Sequence, residues 1–264
     1  MLAGETLGYH METTSGMSGS FPLVALAVCL SAGAGSPAIE IPPSIENQLA
    51  PVPAHDLTPG VNTYKATVNA QGHIMSMDIT AEIKDGPGVW LATESTQTPL
   101  GKAQDQVSIA KGTLLVRERH IRQGPLRVDL NFAGNRAAGE IAMNKSTEAK
   151  KINTDLGGPL FADSAGALQS FAALPLADGY KTTFLNFDLQ TCRPKLMQLA
   201  VTASESVSVP AGSFDAWKLQ ITAVDLAEKT TVWIAKTRRS AVKYTASMNG
   251  ASVTAELLPE KSDP

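Results

Sequence analysis

The chain has 264 residues, 43% of them hydrophobic, which is typical of a globular protein with a core and argues against disorder. Its 22 basic and 25 acidic residues give a net charge of -3 without a long block of either sign, which excludes the electrostatic footprint of a nucleic-acid-binding protein. Only 5% of the residues are aromatic. Small residues are plentiful, and this balance favours many short strands and turns.

Residues 1–38 are predicted to be a signal or targeting segment. The apolar run from Phe21 to Leu30 is followed by small residues up to Ala38. A membrane-spanning helix needs about 20 apolar residues, whereas the apolar region of a secretory signal needs about 7 to 15. Cleavage after Ala34 or Ala38 satisfies the small-residue rule. We therefore expect a periplasmic or secreted protein that is not integral to a membrane.

Cys29 offers an alternative to a cleaved soluble product. The sequence from Leu26 to Cys29 resembles the lipobox of bacterial lipoproteins, in which the cysteine is acylated and becomes the new N-terminus. Cleavage after Ala34 or Ala38 would instead remove it and leave Cys192 as the only thiol. A single thiol forms no internal disulfide, and we expect Cys192 to be a small buried hydrophobic residue.

Residues 39–60 are rich in proline, which removes backbone donors and fixes φ. We expect an extended, weakly ordered linker that holds the folded part away from the membrane or the cleavage site. The folded domain is predicted to cover residues 61–258, and residues 259–264 form a short tail.

Alternation of apolar and polar residues with period two dominates the domain, which is typical of strands with one buried face. It is clear in residues 73–83, 126–132, 242–248 and 253–257. Asn249-Gly250 separates the last two runs and is a strong hairpin signal. We count roughly a dozen strands.

The stretch SVPAGSFDAWKLQI shows the same pattern on both sides of a turn. Pro210 suits the first central position of the turn, and Gly212 supplies a positive φ. The alternation that follows predicts that Trp217, Leu219 and Ile221 face inward. This stretch is therefore predicted to be a hairpin.

Only residues 162–174 have a helical pattern, with Asp163 or Ser164 as the N-cap and Pro175 as the stop. A sheet that buries one face must curl or be covered. We therefore predict a mainly β fold, a curved antiparallel half-barrel with one short helix on its concave side. One short helix covers a dozen strands poorly, so we expect an incompletely filled interior, that is, a cavity.

Large apolar side chains on the predicted inner surfaces are the candidates for lining this cavity, although they fit a packed core equally well. They are Met75, Met77, Trp90, Phe171, Trp217, Leu219, Trp233 and Tyr244.

Catalytic and metal-binding motifs are absent from the sequence. It contains no HExxH, CxxC, GxSxG, GxxxxGK[ST] or strand-GxGxxG-helix pattern. His55, His73 and His120 are not at metal-ligand spacing. We therefore predict no catalytic residue, no metal site and no cofactor. Residues 237–239, flanked by Lys236 and Lys243, form a local basic cluster that suits a solvated turn or docking on anionic headgroups or a partner.

Several motifs resemble a family of exported bacterial proteins of unknown function. The resemblance lies in VPAGSFDAWKL at residues 209–219 and TTVWIAK at residues 230–236, with GTLLVRER at 112–119 and FAGNR at 132–136 upstream. Those proteins look like members of the superfamily of the outer-membrane lipoprotein carriers, LolA and LolB. The resemblance covers residues 61–258 and implies a curved half-barrel with a helix on its concave side, which in the carriers holds acyl chains.

Two functions follow as hypotheses. The first is a non-enzymatic, exported cell-envelope protein that binds a lipid or other apolar ligand in the half-barrel cavity. The alternative is an interaction or scaffold module that binds an envelope protein and no small molecule.

Overall fold

The protein is described by a computed structural model that covers residues 50–70, 72–98, 101–143, 148–224, 229–248 and 251–260. The predicted signal segment, Cys29 and the Asn249-Gly250 turn lie outside the described residues. The strands and the helix have the following bounds: β1 Gly60–Ala70, β2 His73–Gly86, β3 Val89–Thr98, β4 Gly101–Ala110, β5 Val116–Gln123, β6 Leu126–Ala133, β7 Arg136–Ala142, β8 Lys150–Asp155, α1 Ala167–Ala172, β9 Lys181–Asp188, β10 Arg193–Val209, β11 Gly212–Ala223, β12 Lys229–Ala235, β13 Ser240–Met248 and β14 Ala251–Leu257.

The fourteen strands form one antiparallel sheet in the order β8-β7-β6-β5-β4-β3-β2-β1-β14-β13-β12-β11-β10-β9. Strands that are neighbours in sequence pair with each other except for β8 and β9, and the first and last strands join in the middle of the sheet. The mainly β, curved antiparallel architecture predicted from the alternation is confirmed. The hairpin at Pro210 is also present, since β10 ends at Val209 and β11 begins at Gly212 with a positive φ of 129°.

The two edge strands, β8 and β9, are not paired with each other in the described part of the chain, but they lie close together. The Thr154 hydroxyl of β8 donates a hydrogen bond to the Cys192 carbonyl at 3.1 Å. The rings of Phe132 and Phe187 meet edge to face with centroids 5.8 Å apart. The sheet therefore curls until its edges are in contact without closing.

The segment between these edge strands, residues 156–176, passes through the inside of the curled sheet, and we call it the inner segment. Leu160 and Phe161 link β5 to β9. The Leu160 carbonyl accepts a hydrogen bond from the Val116 amide at 3.0 Å, and the Phe161 amide donates one to the Leu185 carbonyl, also at 3.0 Å. Phe161 and Phe171 both pack on Phe184. The interior is therefore filled by this segment and is not the open concavity expected from the sequence.

The helix is shorter than predicted and is capped differently. It covers Ala167–Ala172. Its N-cap is Gly166, which has a φ of 84° and no side chain that could cap the helix. The predicted caps Asp163 and Ser164 are wrong because their side chains bind Arg119 instead. Ser164 also has a positive φ, of 64°, which an N-cap in the extended region does not have.

Gly166 is required by both its backbone conformation and its surroundings. Its φ of +84° favours glycine. A Cβ built on it would lie 2.7 Å from the Ala92 Cβ and 2.7 Å from the Ile109 Cδ1. The inner segment thus touches β3 and β4 with no space for one more carbon.

We predict that Gly166→Ala lowers the free energy of unfolding by about 2–5 kcal/mol, the sum of about 1–2 kcal/mol for the left-handed backbone and about 1–3 kcal/mol for overpacking. Gly179→Ala is the matched control, because Gly179 has a similar φ of +78° and no neighbour within 4 Å of the added Cβ. Chemical denaturation of both variants checks the difference. Equal destabilisation would contradict the close packing of the inner segment.

Candidate functional site

The eight residues predicted to line a cavity do not come together around one space. Trp90, Phe171, Leu219 and Tyr244 are buried in the main hydrophobic cluster. Met75 lies at the edge of the sheet where the β1–β2 hairpin turns and is 46% exposed, and Met77 is half-buried.

Trp217 and Trp233 lie on opposite faces of the sheet. Trp217 pairs with Ile234, which is fully buried, so it faces inward as predicted. Trp233 pairs with Lys218, donates a hydrogen bond from Nε1 to Glu205 at 2.7 Å and has the Lys218 ammonium 5.3 Å from its ring centroid. The expectation that Trp233 lines the interior is therefore wrong. Its two neighbours in the strand are the inward residues, since side chains alternate.

A cavity of about 480 Å³ lies where β1 begins and β12 connects to β13, and we call it the end cavity. Its walls come from residues 55–62, Ile83, Gln169, residues 238–240 and Glu260. None of the eight predicted residues lines it. The basic cluster at residues 237–239 is the feature of the sequence that pointed towards it.

The wall formed by residues 55–59 is held in place by Asp56. One carboxylate oxygen of Asp56 accepts hydrogen bonds from the Trp90 indole and the Leu57 amide, and the other accepts one from the Gly112 amide at 3.0 Å. The Ala54 amide donates to the Ala173 carbonyl at 2.8 Å, and Leu57 is buried. Residues 54–59 therefore pack on the domain, whereas residues 39–49 of the predicted linker lie outside the described residues.

The two arginines of the end cavity have different partners. Arg238 donates to the Glu260 carboxylate at 2.8 Å and to Asn62 at 3.3 Å. Arg239 donates from one Nη to the Leu174 carbonyl at 3.4 Å, and its guanidinium lies 4.6 Å from the centroid of the Trp217 ring. Among the described residues, no carboxylate lies within 4.0 Å of the Arg239 guanidinium.

Two buried polar atoms of the cavity wall lack a hydrogen-bond partner within the described chain. They are Oε1 of Gln169 and Oγ of Ser240. Polar atoms taken out of water are normally hydrogen-bonded, and leaving one unpaired costs about 1–3 kcal/mol. Such atoms in a cavity wall are the natural contacts of a bound polar group.

A second polar cluster lies in the interior and was missed by the sequence analysis. The Arg119 side chain is buried, with 1% of the residue exposed. It donates hydrogen bonds from Nε and Nη2 to the Asp105 carboxylate, the shorter of which joins Nη2 to Oδ2 at 2.9 Å. The same guanidinium reaches Asp163 at 3.3 Å and Ser164 at 2.6 Å in the inner segment. Burial lowers the pKa of Arg119, but the Asp105 and Asp163 carboxylates more than offset this, and its pKa is raised.

The buried Asp163 carboxyl of this cluster has a raised pKa. Burial raises its pKa from 3.8 to about 6, because the opposing effect of Arg119 is smaller than the loss of hydration and Asp105 adds repulsion. The cluster fixes the inner segment to β4 and β5. Its charged groups are all nine-tenths or more buried, so it is part of the core and separate from the end cavity.

The described residues contain no helix long and apolar enough to cross a membrane. Nor does any group of three His, Cys, Asp or Glu side chains in that part of the chain have an arrangement that could hold a metal ion.

A family model described as a protein of unknown function, DUF3108, matches residues 61–257. This is well over half of the chain, and the protein belongs to that family. A search of curated proteins finds no match.

Several solved structures are similar in fold. A β-barrel-like protein of the domain of unknown function DUF1849 from Brucella abortus has a TM-score of 0.49 at 10% identity, over 78% of this chain and 98% of that one. The hypothetical lipoprotein YmcC from Escherichia coli has a TM-score of 0.34 at 9% identity, over 81% and 91%. A protein from Bacteroides fragilis, whose description suggests export and a YmcC-like fold, has a TM-score of 0.29 at 9% identity, over 79% and 98%. None of their properties carries over to this chain at such similarity.

We predict that Asp163 makes stability depend on pH. Its folded pKa of about 6 lies above that of an unfolded aspartate, so its contribution to the free energy of unfolding is complete below about pH 4 and is lost as the pH rises through 6. A pKa difference of about 2 corresponds to about 3 kcal/mol. Urea denaturation at pH 4 and pH 7 should show the stability of the wild type relative to Asp163→Asn falling by about this amount. Parallel pH profiles of the two proteins would contradict the assignment.

Proposed function

We propose that the protein is a non-enzymatic, exported cell-envelope protein that binds a lipid or another apolar small molecule, with the end cavity as its binding site. The observation that carries this proposal is the cavity itself. Its volume of about 480 Å³ falls within the range of about 300–1,000 Å³ typical of small-molecule sites.

The walls of the end cavity suit an amphipathic molecule. Leu57, Pro59, Val61 and Ile83 supply apolar surface, and the residues at 238–240 supply polar groups. Burial of each methylene contributes about 0.8 kcal/mol, so about ten buried methylenes supply the roughly 8 kcal/mol of micromolar affinity before the cost of association is subtracted. The sequence resemblance to the lipoprotein carriers supports a ligand of this class, although the site lies at the end of the sheet and not on the filled concave side.

An interaction module without a small-molecule ligand is the second candidate. The packed interior favours it, because the inner segment occupies the side of the sheet on which carriers hold their cargo. The outer edge of β8 carries the exposed Lys150 and Lys151 and offers a short edge for a partner strand. Binding of a neutral apolar ligand separates the two candidates.

We expect the delipidated protein to bind dodecanol saturably with a dissociation constant of about 1–100 µM, measured by displacement of a neutral fluorescent naphthylamine dye. Gly60→Trp should weaken this binding at least about tenfold, because Gly60 lines the end cavity opposite Ile83 and has open space beside its Cα, so the indole would occupy part of the cavity. Val52→Trp is the matched control, since Val52 is 78% exposed and outside the cavity. A folded wild-type protein that takes up neither the dye nor the alcohol would favour the interaction module.

Export belongs to the same proposal and rests on the apolar run from Phe21 to Leu30. We expect the mature protein to begin at Gly35 or Ile39 and to be periplasmic or secreted. Intact mass and N-terminal sequencing of the native protein check this. An acylated Cys29 would show the lipoprotein alternative, and an uncut chain recovered from the cytosol would contradict export.

A further inference from the structure

Arg239 carries a positive charge on the wall of the end cavity that no described carboxylate balances within 4.0 Å. The other charged groups of that wall are engaged. Arg238 is paired with Glu260, and both carboxylate oxygens of Asp56 accept hydrogen bonds from Trp90, Leu57 or Gly112. The wall therefore presents one guanidinium without a carboxylate partner, while its overall charge is neutral because Asp56 and Glu260 balance the two arginines.

Contacts with Trp217 and Leu174 orient the guanidinium of Arg239. It lies 4.6 Å from the Trp217 ring centroid, and one nitrogen is directed at the Leu174 carbonyl. Stacking on an indole holds the guanidinium plane and leaves its edge free to bind planar oxyanions. The remaining N–H groups of Arg239 have no acceptor among the described residues.

Ser240 and Gln169 add hydrogen-bonding capacity to the same wall. The buried Ser240 hydroxyl has no partner in the described chain and can donate to an oxygen. The Gln169 amide oxygen is also buried without a partner. Rotating this amide by 180° places its NH₂ group at that position and turns it into a donor.

We propose that the end cavity binds the anionic oxygens of an amphipathic ligand, a carboxylate or a phosphate, through Arg239 with Ser240 and Gln169 beside it. This inference rests on the proposed function, since the apolar part of the ligand then lies against Leu57, Val61 and Ile83. Hydrogen bonds to charged groups are the stronger class and give the ligand its orientation.

The test compares three ligands with the same alkyl chain at pH 8: dodecanol, dodecanoate and dodecyl phosphate. We expect the wild-type protein to bind at least one of the two anions about tenfold or more tightly than the alcohol. The tighter anion identifies the carboxylate or the phosphate as the natural headgroup. Raising the salt concentration should weaken the anion and leave the alcohol unchanged.

Arg239→Gln should lower the ratio of anion affinity to dodecanol affinity to about one. Arg136→Gln is the matched control, because Arg136 lies at the start of β7, donates to Asn153 and is outside the cavity wall. If Arg239→Gln fails to fold, Ser240→Ala and the salt dependence of the wild type provide the same comparison. The preference should then fall with Ser240→Ala and with added salt.

Equal affinity of the wild-type protein for the anions and the alcohol would overturn the headgroup inference and leave the proposed function standing. An anion preference that survives Arg239→Gln would overturn it as well. Failure of all three ligands to bind would remove the proposed function together with this inference.

Discussion

The buried guanidinium of Arg119 is the constraint on which the interior of this protein depends. A charge that is 1% exposed must be paired, because loss of hydration is otherwise far too costly. Asp105 supplies two contacts from the neighbouring strand β4, while Asp163 and Ser164 come from the inner segment. Pairing Arg119 therefore requires the inner segment to pass through the curled sheet at this level, and the segment fills the space that a half-barrel would otherwise leave open.

The same segment also shapes the end cavity. The Leu174 carbonyl accepts the hydrogen bond from Arg239, and the Ala173 carbonyl accepts one from the Ala54 amide. Gln169 contributes directly to the wall. The position of the cavity thus follows from that of the inner segment, because three separate parts of the chain meet at the end of the short helix. Altering the Arg119 cluster would move the far end of this segment and so disturb the cavity indirectly.

The sheet could be predicted from the sequence because alternation with period two reports directly which face of a strand is buried. It gave the hairpin at Pro210 and the inward direction of Trp217 and Leu219 correctly. The helix cap was wrong, because Asp163 and Ser164 have the right residue types for a cap but are bound by a distant arginine. Helical propensity describes only local partners, and Arg119 is more than forty residues away in the chain.

The Arg119 cluster did leave a signal in the sequence. On β3, Glu94 occurs in phase with the buried Trp90 and Ala92, and on β4, Asp105 is in phase with Ala103 and Val107. Glu94 and Asp105 are direct cross-strand partners, so two like charges face each other on the inner side of the sheet. Like charges opposite each other are unfavourable, and their presence at inward positions predicts a buried cation nearby.

The end cavity left a weaker signal because its residues are scattered along the chain, over the segment before β1, the start of β1, single positions of β2, the helix and β13, the turn before β13 and the tail after β14. Only the basic cluster at residues 237–239 marked it, and a cluster of that kind in a turn is usually solvated. The structure distinguishes the two arginines by their partners, since Glu260 neutralises Arg238 and the Trp217 ring stacks on Arg239. Residues in the segments that connect strands can be substituted without disturbing the alternation of apolar and polar residues within the strands. The packed interior and the wall of the end cavity therefore have separate physical requirements, because buried charge must be paired in the interior whereas connecting segments shape the wall.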